Sequence, residues 1–399
     1  MSEVFIGRQP VLDRYMNVFA YDLQFYQGLT PSSEATLHAT HALITKIQEA
    51  IGFQSIVGKH TAMVHLPPQM IRKEFLPRFD ALHPMMLEVS KGVIGNAQVL
   101  RSLKELKQLG SSIVLGEFID AKTSAKLASI SDFVKIDADG KDGVALKRMI
   151  DAFHQQGIKV IAQKVETEAQ FQILKTLGFD YFQGYFFNSP TIINGKKLSG
   201  NRLILLQLLA KVNEPSTRFQ ELSEMISRDV ALSYKLLEAI NNPAAMVPIR
   251  VESISDALKY LGLNRLKFWV NTLMLSNMEG VPKELLTSSL ARAKFCERLA
   301  ADTEYAKEKE SFFLVGLFSN LGAFFKVPLE DVVMEMPLSN EIKAALVQRY
   351  GAMGEALSVV EQVEKLNASS SQIKFEQLDV AELSERFMLA NAWAQQAIL

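Results

Sequence analysis

Up to about residue 190, short apolar runs recur with room for one amphipathic helix between neighbours. The runs are MNVFAYDLQF, TAMVHL, MMLEVS, SSIVLGEF, DFVKIDAD, IKVIAQKV and FDYFQGYFF. Between them lie segments such as Asn96–Leu109, with Val99, Leu103 and Leu106 at helical spacing, and Gly143–Gln156, with Leu146, Met149, Ile150 and Phe153. Strand, helix, strand at this rhythm predicts parallel strands joined by crossover helices. Repeated over this length, it predicts an α/β barrel of the TIM type. A doubly wound open sheet is the competing architecture, and the lack of a glycine-rich phosphate loop after the first strand counts against it.

Around Asn188–Gly200 the text becomes NSPTIINGKKLSG, a cluster of proline, glycine, asparagine and lysine that reads as a domain boundary. Beyond it the strand signals fade. Helical patterns follow one another: Leu203–Val212, Phe219–Arg228, Ala231–Ile240, Ser253–Tyr260, Arg265–Met278, Lys283–Ala301, Phe312–Phe325, Leu329–Met334, Ser339–Arg349 and Gly354–Leu366. Asn264, Pro282 and Ser339 mark helix starts. A polar break, Asn367–Ser371, precedes a last amphipathic segment, Leu378–Leu399, which either docks on the domain or pairs with another chain. The expected division is a barrel over 1–195 and an all-α domain with a helical tail over 198–399.

Charge excludes some functions. With 43 basic and 44 acidic residues and a net charge of −1, nothing attracts nucleic acid or an anionic membrane. A single cysteine, Cys296, leaves no intrachain disulfide and fits a reducing compartment. The first residues, MSEVFIGRQPVLDR, lack a signal peptide's apolar core, and Leu203–Ala210 is too short to span a bilayer, so a cytoplasmic location is expected. No histidine follows His154. The helical half therefore holds neither a histidine-ligated metal nor a Ser-His or Cys-His pair.

Several runs carry a resemblance. Phe182-Gln183-Gly184-Tyr185-Phe186-Phe187 with Ser189-Pro190 resembles the closing strand of the EAL family of cyclic di-GMP phosphodiesterases and their inactive relatives. Phe133–Asp137 resembles its lysine strand, Val160–Thr167 its IAEGVET strand and Leu87–Ser90 its EITE strand. The four stand in the family's order and spacing. The resemblance implies a barrel holding two divalent metals at the C-terminal ends of its strands, and two hard cations need several carboxylates around them.

The resemblance also implies a site position by position. The signature glutamate falls at Asp22, the substrate-contacting arginine at Tyr26, and the metal-binding asparagine near His65, which reads as a satisfied histidine at a strand end sooner than as a ligand. Glu88, Lys135, Asp137, Glu166 and Gln183 fit the pattern. The paired aspartates fall at Gly116 and Glu117, and the general-base-like glutamate at Gln163, with Lys164 where the family has glycine. Lys164 brings a positive charge close to the pocket, depending on where its side chain points. A neutral glutamine does not accept a proton usefully. The resemblance thus implies a degenerate site: no catalytic residues, no cofactor, and Asp22, Glu88 and Glu117 as weak candidates for a single metal. Cyclic di-GMP binding is expected to be impaired.

In the helical half, Ile226–Asn242 and Ile254–Gly262 resemble the opening and a later helix of the HDOD family. Ser319-Asn320 stand where the related HD phosphohydrolases carry His-Asp. The combined expectation is a pseudo-phosphodiesterase, not an enzyme. It would act by contact with another signalling protein, or with a second copy of itself, in cyclic di-GMP-linked control of motility or biofilm. The alternative is an atypical phosphodiesterase using Mg²⁺ or Mn²⁺, or a receptor that binds without cutting.

Overall fold

The computed structural model describes residues 4–27, 41, 42, 45, 49, 52–65, 71, 85–89, 97–116, 130–188, 200–214, 217–228, 230–241, 251–276, 278, 280–301, 303–365 and 373–397. The strands are β1 (Val4–Asp13), β2 (Val18–Gln27), β3 (Thr61–His65), β4 (Met86–Val89), β5 (Ser112–Leu115), β6 (Phe133–Asp137), β7 (Lys159–Gln163) and β8 (Tyr181–Gln183). They close in chain order into a barrel, which decides against an open sheet. From β2 to β8 each strand runs parallel to the next, while β1 is antiparallel to both β2 and β8.

Six strands lie within the apolar runs read from the sequence, and β2 overruns its own by Tyr26 and Gln27. The eighth, β1, lies in none, because Gly7, Arg8, Gln9 and Pro10 interrupt its apolar pattern. Its direction follows from its turn. Asp13 Oδ1 accepts hydrogen bonds from the backbone N–H of Tyr15 (2.8 Å) and Asn17 (2.9 Å), folding the chain straight back into β2. So short a connection permits only antiparallel pairing.

Crossover helices Ala97–Gln108, Gly143–Gln155 and Glu168–Leu177 return the chain between later strands. The last is set by a capping box between Thr167 and Gln170 and closed by Gly178 in the left-handed conformation. Leu103, Leu146, Ile150, Phe153 and Phe171 on these helices are buried.

The chain divides into two compact units, one of residues 1–189 with 358–395, the other of 190–357 with 396–399. The sequence assigns all of 198–399 to the helical domain; residues 358–395 instead group with the barrel. The hairpin explains this grouping. Without a crossover helix between β1 and β2, their outward residues Arg8 and Tyr21 need another cover. The helix Val380–Ala397 supplies it: Arg8 Nη1 donates to Asn391 Oδ1 (2.7 Å) and Gln395 Nε2 to the Tyr21 hydroxyl (2.9 Å). The Arg8 guanidinium lies 3.6 Å over the Tyr21 ring.

The second unit is helical. Gly262, at φ 72° and ψ 168°, breaks Ile254–Ser276 into the two helices expected there. The expected Phe312–Phe325 helix is split into Lys309–Phe318 and Leu321–Phe325, parting at Ser319-Asn320. Among the described residues, no helix is long and apolar enough to cross a membrane.

Candidate functional site

Alternation along a strand sends every second residue inward. Val11, Ala20, Met63, Met86, Val114 and Ile161 form an apolar layer inside the barrel. One inward step toward the C-terminal ends of the parallel strands turns it polar. The residues there are Gln9, Asp22, His65, Glu88, Gly116 and Gln163, joined by Lys135 and Gln183 from β6 and β8. Closure of the barrel brings these strand ends together.

Asp22 is fully buried. Its Oδ2 accepts from Lys135 Nζ (2.8 Å), Gln183 Nε2 (2.7 Å) and Gln24 Nε2 (2.5 Å). Lys135 also donates to Glu88 Oε2. Burial works against the Lys135 ammonium, yet Asp22 and Glu88 outweigh it and hold its pKa above the ordinary lysine value. Glu88 leans over Gly116, where a Cβ would meet its Oε1 at 2.3 Å. The absence of a side chain at 116 therefore gives Glu88 the room it uses.

The remaining expected residues divide. His65 is half-exposed, its Nδ1 3.7 Å from Glu88 Oε1. Gln163 is half-buried and in register with Asp137. Asp137 Oδ2 pairs with Lys164 Nζ at 2.7 Å. Burial would raise the Asp137 pKa, but the hydrogen bonds from Lys164 and the Asp139 N–H bring it below the usual carboxylate value. Glu166 is exposed, its N–H given to Gln170 Oε1 (2.9 Å). Of Tyr26 the backbone is described, opposite Phe5. Glu117 lies outside the described residues.

Two participants escaped the sequence reading. Gln9 accepts from Gln183 Nε2 (2.7 Å), and Gln24 donates to Asp22. The signal for Gln9 was its two-residue step from Val11, legible only once β1 is known to be a strand.

Among the described residues, no group of three or more His, Cys, Asp or Glu side chains converges as a metal site. Yet two buried acceptor oxygens in the polar layer, Asp22 Oδ1 and Gln183 Oε1, have no hydrogen-bond partner among the described residues. A buried oxygen left without a donor is costly, and hard cations take such carboxylate and amide oxygens. Together with Glu88, which shares Lys135 with Asp22, they supply the donor chemistry of one divalent ion. A second is not matched, because Lys135 already offsets part of the charge on Asp22 and Glu88.

In the helical unit, Arg292 Nη1 donates to Ser319 Oγ (3.0 Å) and Asn320 Oδ1 (2.8 Å), and Asn320 Nδ2 to Ser289 Oγ (3.0 Å). All four residues are buried. A guanidinium thus bonds the pair standing at the expected His-Asp position.

Residues 35–190 match the EAL domain model and residues 202–342 the HDOD domain model. A Vibrio cholerae protein named cyclic di-GMP phosphodiesterase CdgJ is 28% identical over 99% of this chain and 93% of its own. YuxH of Bacillus subtilis strain 168 is 27% identical over 98% of each chain. A solved structure of the EAL enzyme Bd1971, in its cAMP- and cyclic di-GMP-bound form, shares 16% identity over 47% of this chain and 62% of that one, with a TM-score of 0.39.

The first of these relatives overturns one expectation. A protein alike across nearly the whole chain is named a phosphodiesterase, so the reading of this chain as not an enzyme is corrected. The physical reason is that the altered positions act together: in the barrel Gly116 makes room for Glu88, and Asp22 meets Glu88 at Lys135.

Proposed function

From the premise that the chain is an EAL domain followed by an HDOD domain, we propose that its barrel is a cyclic di-GMP phosphodiesterase with an atypical ligand set. Water would add to one phosphodiester phosphorus, the P–O ester bond would break, and the leaving oxygen would take a proton, giving the linear dinucleotide. The observation that carries the reading is the pair of buried, partnerless oxygens, Asp22 Oδ1 and Gln183 Oε1, beside Glu88 at the strand ends. Active sites of such barrels sit at that end.

Asp22, Glu88 and Gln183 would hold one Mg²⁺ or Mn²⁺, which when bound polarises a phosphoryl oxygen and lowers the pKa of a water. Lys135 fixes both carboxylates by bonding each. Gln24 and Gln183 bond the same Oδ2 that Lys135 does, which leaves Asp22 Oδ1 open to an ion. Gln163 is neutral and takes no proton, so the proton lost by the water passes to solvent. To the helical unit we assign contact with another signalling protein. Its Ser319-Asn320 position is bonded by Arg292 and offers no histidine. Motility or biofilm is the output that the domain pair suggests.

The test incubates the protein with cyclic di-GMP and Mg²⁺ or Mn²⁺ and follows linear product by chromatography. Turnover is expected, with a loss of about 100-fold in Glu88→Ala, which takes a carboxylate from around the ion. Saturable binding without product would leave a receptor; neither binding nor product would sink the reading.

A further inference from the structure

Lys164 is held in a backbone conformation that suits glycine. Its φ is 59°, in the left-handed region, immediately after the last residue of β7. Lys326 and Arg349 share this conformation where each closes a helix, and Met16 and Glu376 share it in turns away from the C-terminal ends of the parallel strands. Lys164 closes no helix. Its turn is also clamped: Val165 N–H donates to the Gln183 carbonyl (3.0 Å), and a Cβ at Gly184 would lie 1.9 Å from the Val165 carbonyl oxygen. Close backbone packing thus holds a strained lysine at the mouth of the candidate site. Strain kept at such a place points to a use for the side chain.

Charge shows what that use is. At the strand ends, the carboxylates of Asp22, Glu88 and Asp137 stand against the ammonium groups of Lys135 and Lys164. That set is negative overall, and the substrate carries two phosphodiester anions. One divalent ion makes the set positive, and neutralising Lys164 removes that excess. Lys135 is 2% exposed and committed to two carboxylates, whereas the Lys164 side chain is 70% exposed. An ion pair as exposed as Lys164–Asp137 holds weakly in water and exchanges readily for a phosphate oxygen.

Resting on the proposed function, we infer that Lys164 is a substrate-binding residue whose ammonium contacts a phosphate of cyclic di-GMP and supplies the positive charge a second metal would bring. Asp137 parks that ammonium over the strand ends until substrate arrives.

The experiment compares wild type, Lys164→Gly and Lys164→Arg in hydrolysis, and in calorimetric binding of cyclic di-GMP with and without Ca²⁺. In Lys164→Gly, KM and Kd are expected to rise about tenfold, the size of one charge-assisted hydrogen bond. Its kcat should stay within about threefold, its salt dependence should flatten, and its Tm should be no lower, because glycine relieves the strained φ. Lys164→Arg should stay within about threefold of wild type, since it keeps the charge. A wild type that turns over while KM, Kd and salt dependence are unmoved in Lys164→Gly overturns this inference alone. A wild type that binds without hydrolysing overturns the proposed function, and the Kd ratio still decides the role of Lys164. If wild type neither binds nor hydrolyses, both fall.

Discussion

At Lys135 one buried ammonium answers two carboxylates. Removing one partner of a buried ionic cluster strands the other charges, a loss of about 3–5 kcal/mol. Lys135→Met should therefore be less stable than wild type by about that amount at pH 7, read by urea unfolding. The pH dependence has a definite sign. The folded pKa of Lys135 is raised above its unfolded value near 10.5, so its stabilisation is full below that pH and is lost as pH rises through the folded value. The gap between Lys135→Met and wild type should narrow above pH 10.5; a gap constant to pH 12 would contradict the cluster. Asp22, Glu88, Lys135 and Gln183 were legible from the sequence because each sits in a strand motif of fixed local pattern. That Asp22 Oδ1 and Gln183 Oε1 lack partners was not, since an unmet hydrogen bond depends on every neighbour at once.

Helices and strands show the same division. The segments with strong periodicity form where expected, including Phe219–Arg228, Lys283–Ala301 and Leu329–Met334. The break at Ser319-Asn320 does not show in the periodicity, because apolar spacing runs on through it; the bonds that Arg292 donates and Ser289 accepts come from another helix. Contact between Lys283–Ala301 and Lys309–Phe318 is close enough that a Cβ at Gly316 would lie 2.5 Å from both Ala293 Cα and the Arg292 carbonyl oxygen. Both are backbone atoms and cannot step aside alone. Gly316→Ala should therefore cost about 1–3 kcal/mol by overpacking, seen as a lowered urea midpoint with unchanged slope. A neutral outcome would show that these helices separate freely.

For the whole molecule, the chain's last helix belongs with its first strands. Asn391→Ala removes the acceptor of the Arg8 Nη1 bond and should cost about 1–3 kcal/mol. The two tryptophans, Trp269 and Trp393, lie in different units, so Trp393 fluorescence in a Trp269→Phe background reports on the barrel unit. An unmoved midpoint there would mean that the helix does not brace β1 and β2. The sequence by itself determined the barrel class and the helical second half, and its motifs carry the resemblance to two domain families and name the polar residues at the strand ends. The first two follow from local spacing, which states the face a residue takes. Tertiary structure alone decided which of those residues meet: Glu88 over Gly116, Lys135 between two carboxylates, Lys164 on Asp137, and the tail against Arg8 and Tyr21. The reason is physical. Periodicity sets direction, whereas closure of the barrel and the β1–β2 hairpin set neighbours, joining residues as far apart as Arg8 and Asn391.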